Sequence, residues 1–140
     1  MFSRILCLAV VVLMLVAVNG RAEQTEKEKN AVTVAEKWLG MVDAGKYSES
    51  WKEAAVYFRN AVKQEQWEQA MQSVRKPLGK LVSRKVKSAS YKTSLPGAPD
   101  GEYVVILFET SFENKKSAIE TVTPMMDKDG KWRVSGYYIK

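Results

Sequence analysis

Histidine is absent from all 140 residues, and cysteine occurs once, at position 7. The first absence excludes His-based triads, imidazole general bases and the common zinc sites. The second excludes an internal disulfide framework. Proline and glycine are sparse, at four and eight residues, and most fall at segment junctions where they read as specific turns. Long apolar runs are equally scarce. The single one, "ILCLAVVVLMLVAV" (5–18), follows Arg4 and breaks at Asn19. It is short for a membrane span and has the charged start, apolar middle and small-residue exit of a secretory signal peptide. Cleavage is expected after Ala22, with Gly20 two positions before; an uncleaved anchor is the alternative. Cys7 lies inside the run, preceded by Leu6, so a lipoprotein site is not expected. The chain thus divides into a signal peptide, 1–22, and a single domain, 23–140, without a thiol. A domain of that size forms a stable core without disulfides.

The formal charge is +6, falling to +4 without Arg4 and Arg21. No acidic residue occurs from Gln69 to Pro99, where Arg75, Lys76, Lys80, Arg84, Lys85, Lys87 and Lys92 all fall. A run of this kind is either a solvated basic face or a site for an anionic partner. Nucleic acid is not expected as the partner of an exported protein.

The first half of the mature chain has helical periodicity. Thr25 and Glu28 have capping-box spacing, and Ala31, Val34, Ala35, Trp38, Met41 and Val42 recur on one stripe. Gly45 in "DAGKY" is placed to end that helix. Ser50 and Glu53 offer a second capping box, followed by a ridge of Trp51, Ala55, Phe58 and Val62. A third helix carries Trp67, Ala70, Met71 and Val74 and closes at Pro77 and Gly79. Tryptophans on three successive helical stripes indicate a packed core.

After Gly79 the period becomes two. Residues 80–94 alternate loosely and are rich in basic and small side chains, as an edge strand is. Residues 102–112 are apolar at successive positions and read as a central strand. Residues 116–128 alternate, with Pro124 marking an edge or a bulge. An Asp-Gly turn within 127–132 then leads to a last strand over 131–140. The loop "SLPGAPDG" (94–101) holds two prolines and two glycines. Pro96-Gly97 fits a type II turn and Pro99-Asp100-Gly101 a second tight turn, so its first role is to reverse the chain.

The blocks "WLGMVDAGKYSESWKEAA" (38–55), "WEQAMQSVRKPLGKLVSRK" (67–85), "LPGAPDGEYVVILFETSFENKKSAIETV" (95–122) and "DGKWRVSGYYIK" (129–140) closely resemble the bacterial domain-of-unknown-function family numbered 4019. That resemblance implies a cone-like fold of the nuclear transport factor 2 (cystatin-like) superfamily and export in Gram-negative bacteria, hence the periplasm. The expected fold class is α+β, with N-terminal helices packed on a curved antiparallel four-stranded sheet. The family brings no established activity, and fold alone assigns none.

Related cone-fold enzymes place acids between the helices and the concave sheet, which makes Glu109 and Glu120 the catalytic candidates. A carboxylate on an apolar face would have a raised pKa and serve as a general base. The plainer expectation is that each pairs with a nearby cation. No nucleophile motif, phosphate-binding loop or metal cluster accompanies them, so neither a cofactor nor a metal is expected. The binding candidates are Arg75 and Arg84, an arginine pair with the geometry to clamp an anion or to form structural salt bridges. Tyr103 joins them from the first residues of the central strand. The function read from the sequence is therefore a non-catalytic module binding a small apolar or anionic ligand or an envelope protein. A His-free isomerase or hydratase-like enzyme is one alternative. A homodimer joined through the sheet face away from the helices is another, with Tyr137 and Tyr138 on opposite faces of the last strand.

Overall fold

A computed structural model describes residues 2–140, with side chains described from Gly20 onward. The signal peptide expected over residues 1–22 falls almost wholly outside the described side chains. Among the described residues, no helix is long and apolar enough to cross a membrane.

Helix α1 spans Phe2–Asp43. Thr25 does not start it: its hydroxyl donates to the Arg21 carbonyl at 2.8 Å, the back-bond of a threonine inside a helix. Glu28 is likewise no cap, since its carboxylate accepts the Tyr91 N–H at 3.2 Å. The helix ends as its sequence indicates. Gly45 has φ 75°, its N–H reaches Val42 O at 3.0 Å and the Lys46 N–H reaches Met41 O at 2.9 Å, a Schellman closure.

The ridge from Trp51 to Val62 is two helices, α2 (Tyr47–Lys52) and α3 (Val56–Ala61). The break has a tertiary cause. The Ala55 N–H donates 2.8 Å to Val134 O on the last strand, and a backbone donor used there cannot continue a helix. Ser50 does not cap α2, which begins at Tyr47; its N–H already bonds Lys46 O at 3.0 Å inside the helix. Helix α4 (Gln64–Val74) and a 3₁₀ turn (Lys76–Leu78) follow, closed by Gly79.

Strands β1 (Leu81–Lys92), β2 (Tyr103–Phe112), β3 (Lys115–Met126) and β4 (Trp132–Ile139) form one antiparallel meander in the order β1-β2-β3-β4. Pro124 lies in a central strand, tolerated because the ladder to β4 shifts register between Val122 and Pro124. The β1 edge is interrupted by two register shifts, and Glu28 takes the Tyr91 N–H. Both devices hinder another chain from pairing there.

Four helices cover one face of this curved sheet, the expected α+β arrangement. Ala31, Ala35, Trp38, Leu39 and Val42 of α1 pack on Val104, Ile106, Phe108, Val122 and Val134. The alanines let the helix approach the sheet closely, and the larger residues fill the space beside it. Burying these side chains supplies the main driving force, at about 1.5–3 kcal/mol for each large apolar one.

Candidate functional site

Between the helices and the sheet lies a polar cluster drawn from all four strands and from the ends of α1 and α4. Arg84 on β1 faces Thr110 across the ladder, and Glu120 on β3 faces Phe108, so both side chains project toward the helices. Arg84 donates from Nε to Glu120 Oε1 at 2.7 Å and from Nη2 to Oε2 at 3.2 Å. Its other side grips Asp43, at the end of α1, through Nη1 at 2.7 Å and Nη2 at 3.0 Å. Arg75 donates to the same Asp43 at 3.1 Å and to Gly79 O at 2.6 Å, with its guanidinium 4.4 Å over the Phe112 ring. Thr110 donates to Glu120 Oε1 at 2.6 Å, and the Tyr137 hydroxyl donates to Oε2.

Two cations thus meet two carboxylates, and Glu120, fully buried, accepts four hydrogen bonds. Burial works against the charge of Arg84, yet its bonds to Asp43 and Glu120 outweigh that and hold its pKa above the ordinary arginine value. Burial, then the Glu120 charge, push the Tyr137 phenol above its usual 10.0. The arginines of the expected clamp are therefore brought together, but by Asp43, and each already holds a carboxylate. Asp43 carried no signal beyond its place in "DAGKY", because its bridging role depends on contacts 32 and 41 residues away.

Glu109 lies on the other face of β2, away from the helices, where it pairs with exposed Lys85 at 3.2 Å. The helices cover the opposite face of β2, which carries Val104, Ile106, Phe108 and Thr110. Tyr103 is buried under the loop before β2, packed with Ala55, Met125, Leu95 and Ala98. Its hydroxyl donates to Pro99 O at 2.5 Å, and burial raises its pKa. It does not touch the polar cluster.

The remaining interior is filled by aromatic rings. Trp38 and Trp67 lie 5.7 Å apart, Trp38 and Tyr137 5.4 Å, and Phe58 and Trp67 5.2 Å. Ser50 anchors the tryptophans: its carbonyl accepts Trp38 Nε1–H at 2.8 Å and its hydroxyl accepts Trp67 Nε1–H at 2.9 Å.

A separate cleft of about 870 Å³ opens at the other end of the sheet, between α3, the loop before β2 and the β3–β4 turn. Val56, Tyr57, Pro99, Met125 and Met126 give it apolar walls. The expected type II turn lies just before its Pro99–Gly101 rim: Ala98 N–H donates to Leu95 O at 3.2 Å and Gly97 has φ 76°. The second turn is an open bend at Asp100–Gly101, with no closing hydrogen bond because the Gly101 N–H reaches back to Thr93 O at 3.1 Å. Tyr57 ties α3 to the type II turn through its hydroxyl, 3.3 Å from Gly97 O. Two arginines line the cleft. Arg133 donates to Asp127 at 3.0 Å and to both oxygens of Asp129 at 2.8 Å. Arg59 donates from Nε to Ala54 O at 3.1 Å. Among the described residues, no three acidic side chains stand together to hold a metal ion.

Helices layered on one face of a four-stranded antiparallel meander, with an ion network closed between the layers, define a small α+β protein whose interior is filled. The chain belongs to the family described as Protein of unknown function (DUF4019), whose model matches residues 34–137. A solved structure from Catenulispora acidiphila is similar at TM-score 0.55 and 10% identity, covering 83% of this chain and 91% of that one, which shows the fold alone. No curated protein matches the chain.

Proposed function

We propose that this protein is a non-catalytic binding module, exported after removal of residues 1–22, and that its ligand surface is the cleft between α3 and the loop before β2. The observation that carries the reading is the filled interior. Trp38, Trp67 and Tyr137 occupy the space under the helices, and Glu120 has four donors on its two oxygens. A carboxylate so engaged is poorly placed to take a proton from a substrate. The cleft, by contrast, has the size and the mixture of apolar wall and few polar groups typical of ligand sites. Export is supported by the charged start, apolar run and small-residue exit of the first 22 residues.

Native mass spectrometry of the purified mature protein, followed by amide shift mapping of any retained molecule, tests the reading. Shifts are expected at Val56–Asn60, Asp100–Gly101 and Met125–Asp129. Shifts centred on Glu120 and Tyr137, or turnover of the molecule, would contradict it. Intact mass of the exported protein is expected to begin at Glu23; full-length chain in the membrane fraction would overturn the export half.

A second reading rests on Tyr138, which is 62% exposed on the helix-free face beside half-exposed Val105, Leu107 and Ile119. An uncovered apolar sheet face supports pairing with a second copy, which light scattering would detect as a dimer mass.

A further inference from the structure

We infer that the cleft takes an amphipathic molecule with an apolar body and one anionic head, and that Arg59 recognises the head. The inference rests on the cleft being the ligand site. Four arginines follow residue 22. Arg75 and Arg84 hold Asp43 and Glu120, and Arg133 holds Asp127 and Asp129. Among the described residues, Arg59 alone of the four has no carboxylate partner. It is half-buried and lines the cleft, and only its Nε is engaged, by the Ala54 carbonyl. Its terminal nitrogens retain the planar fork that suits a carboxylate or a similar anion.

The surrounding charges set where such a head would sit. Lys52 and Lys128 are exposed on the rim, as are Glu53 and Asp100, so these four offset one another in solvent. Arg133 stands between two carboxylates, and the residual negative charge of that group repels an anion from the turn side. The head is thereby confined to the α3 wall, at Arg59. Val56, Tyr57, Met125 and Met126 offer the body an apolar surface, and thioether side chains adapt to irregular shapes.

The test uses decanoate, decanol and decyltrimethylammonium as probes, titrated into the mature protein and followed by amide and Arg59 Nε–H shifts. Decanoate is expected to bind about tenfold or more tightly than decanol, with shifts on the cleft. Arg59→Met should erase that difference while leaving decanol affinity unchanged, and Arg59→Lys should restore part of it. Equal affinity of decanoate and decanol for the native protein, or an unchanged ratio in Arg59→Met, overturns the assignment to Arg59 while the cleft stands. Preference for the ammonium probe, or binding of none of the three, overturns the anionic-head inference. Shifts from all three confined to residues outside the cleft overturn the cleft itself. The native decanoate-to-decanol ratio decides the matter even if a variant fails to fold.

Discussion

Arg84 and Glu120 meet fork to fork across the sheet, on strands β1 and β3, with β2 passing between them. Thr110 of β2 adds a hydrogen bond to the same carboxylate, so the pair crosses its middle strand without leaving that strand's polar group unmet. A pair at this depth is not evidence of great net stability, because desolvating both ions costs much of what their attraction returns. Its energetic weight appears when one partner is removed and the other remains buried. Asp43 enlarges the effect, since Arg84 is the partner of both acids.

Ser50 carries a comparable burden for the tryptophans. Ser50→Ala removes the acceptor of Trp67 Nε1–H within a site that has no solvent access. A cost of about 1–3 kcal/mol is expected, the range for a stranded buried donor. Urea denaturation measures it. Ser50→Thr, which keeps a hydroxyl, is expected to retain a Trp67 bond, and a red-shifted tryptophan emission in Ser50→Ala would report the loosened ring.

Tyr137 gives the fold an alkaline limb. Burial, then Glu120, raise its folded pKa above 10.0, so the folded state keeps a proton that the unfolded chain releases. That contribution is fully present below pH 10.0 and is lost as pH rises toward the folded value. Urea midpoints followed from about pH 8 to about pH 11.5 should fall more steeply for the native protein than for Tyr137→Phe. Parallel limbs would mean that the phenol does not carry the effect.

Two glycines test backbone strain separately from crowding. Gly97 has φ 76° with nothing within 4 Å of an added Cβ, so Gly97→Ala should cost about 1–2 kcal/mol from conformation alone. Gly79 has φ 76° and ψ −158°, a region essentially confined to glycine, and an added Cβ would stand 3.0 Å from Glu113 Cβ. Gly79→Ala should therefore be clearly the more damaging in thermal melts. Asp100→Asn in the same loop as Gly97 should change little, since asparagine suits turns equally.

Much of this architecture was legible because strand periodicity is local. Residues 80–94, 102–112, 116–128 and 131–140 were expected as strands, and all four form with ends within about two residues of the expected ones. Pro124 was read as marking an edge or a bulge, and of the two the structure has the register shift, in a central strand. The break between α2 and α3 was not legible, because the Ala55 N–H leaves the helix for a carbonyl 79 residues away on β4. The same distance hid the site. Arg75 and Arg84 were visible as a pair, but Asp43 and Glu120 reach them only through tertiary contacts. Glu109 and Glu120 are near neighbours in pattern, and only the helix packing decides that Glu120 is inside. Arg59 gave no signal beyond its place in "VYFRNA" (56–61), because what distinguishes it is a partner it lacks.

The central claim is a division of labour among arginines: Arg84 holds the fold, and Arg59 is free to bind. Thermal unfolding of Arg84→Met and Arg59→Met, measured side by side, tests it most directly. Arg84→Met strands Glu120, while Asp43 keeps only Arg75, and should cost about 3–5 kcal/mol, a fall of about 10 °C or more in a domain of this size. Arg59→Met loses one hydrogen bond to the Ala54 carbonyl and should stay within about 1 kcal/mol of the native protein. A small shift for Arg84→Met together with a large one for Arg59→Met would contradict the account.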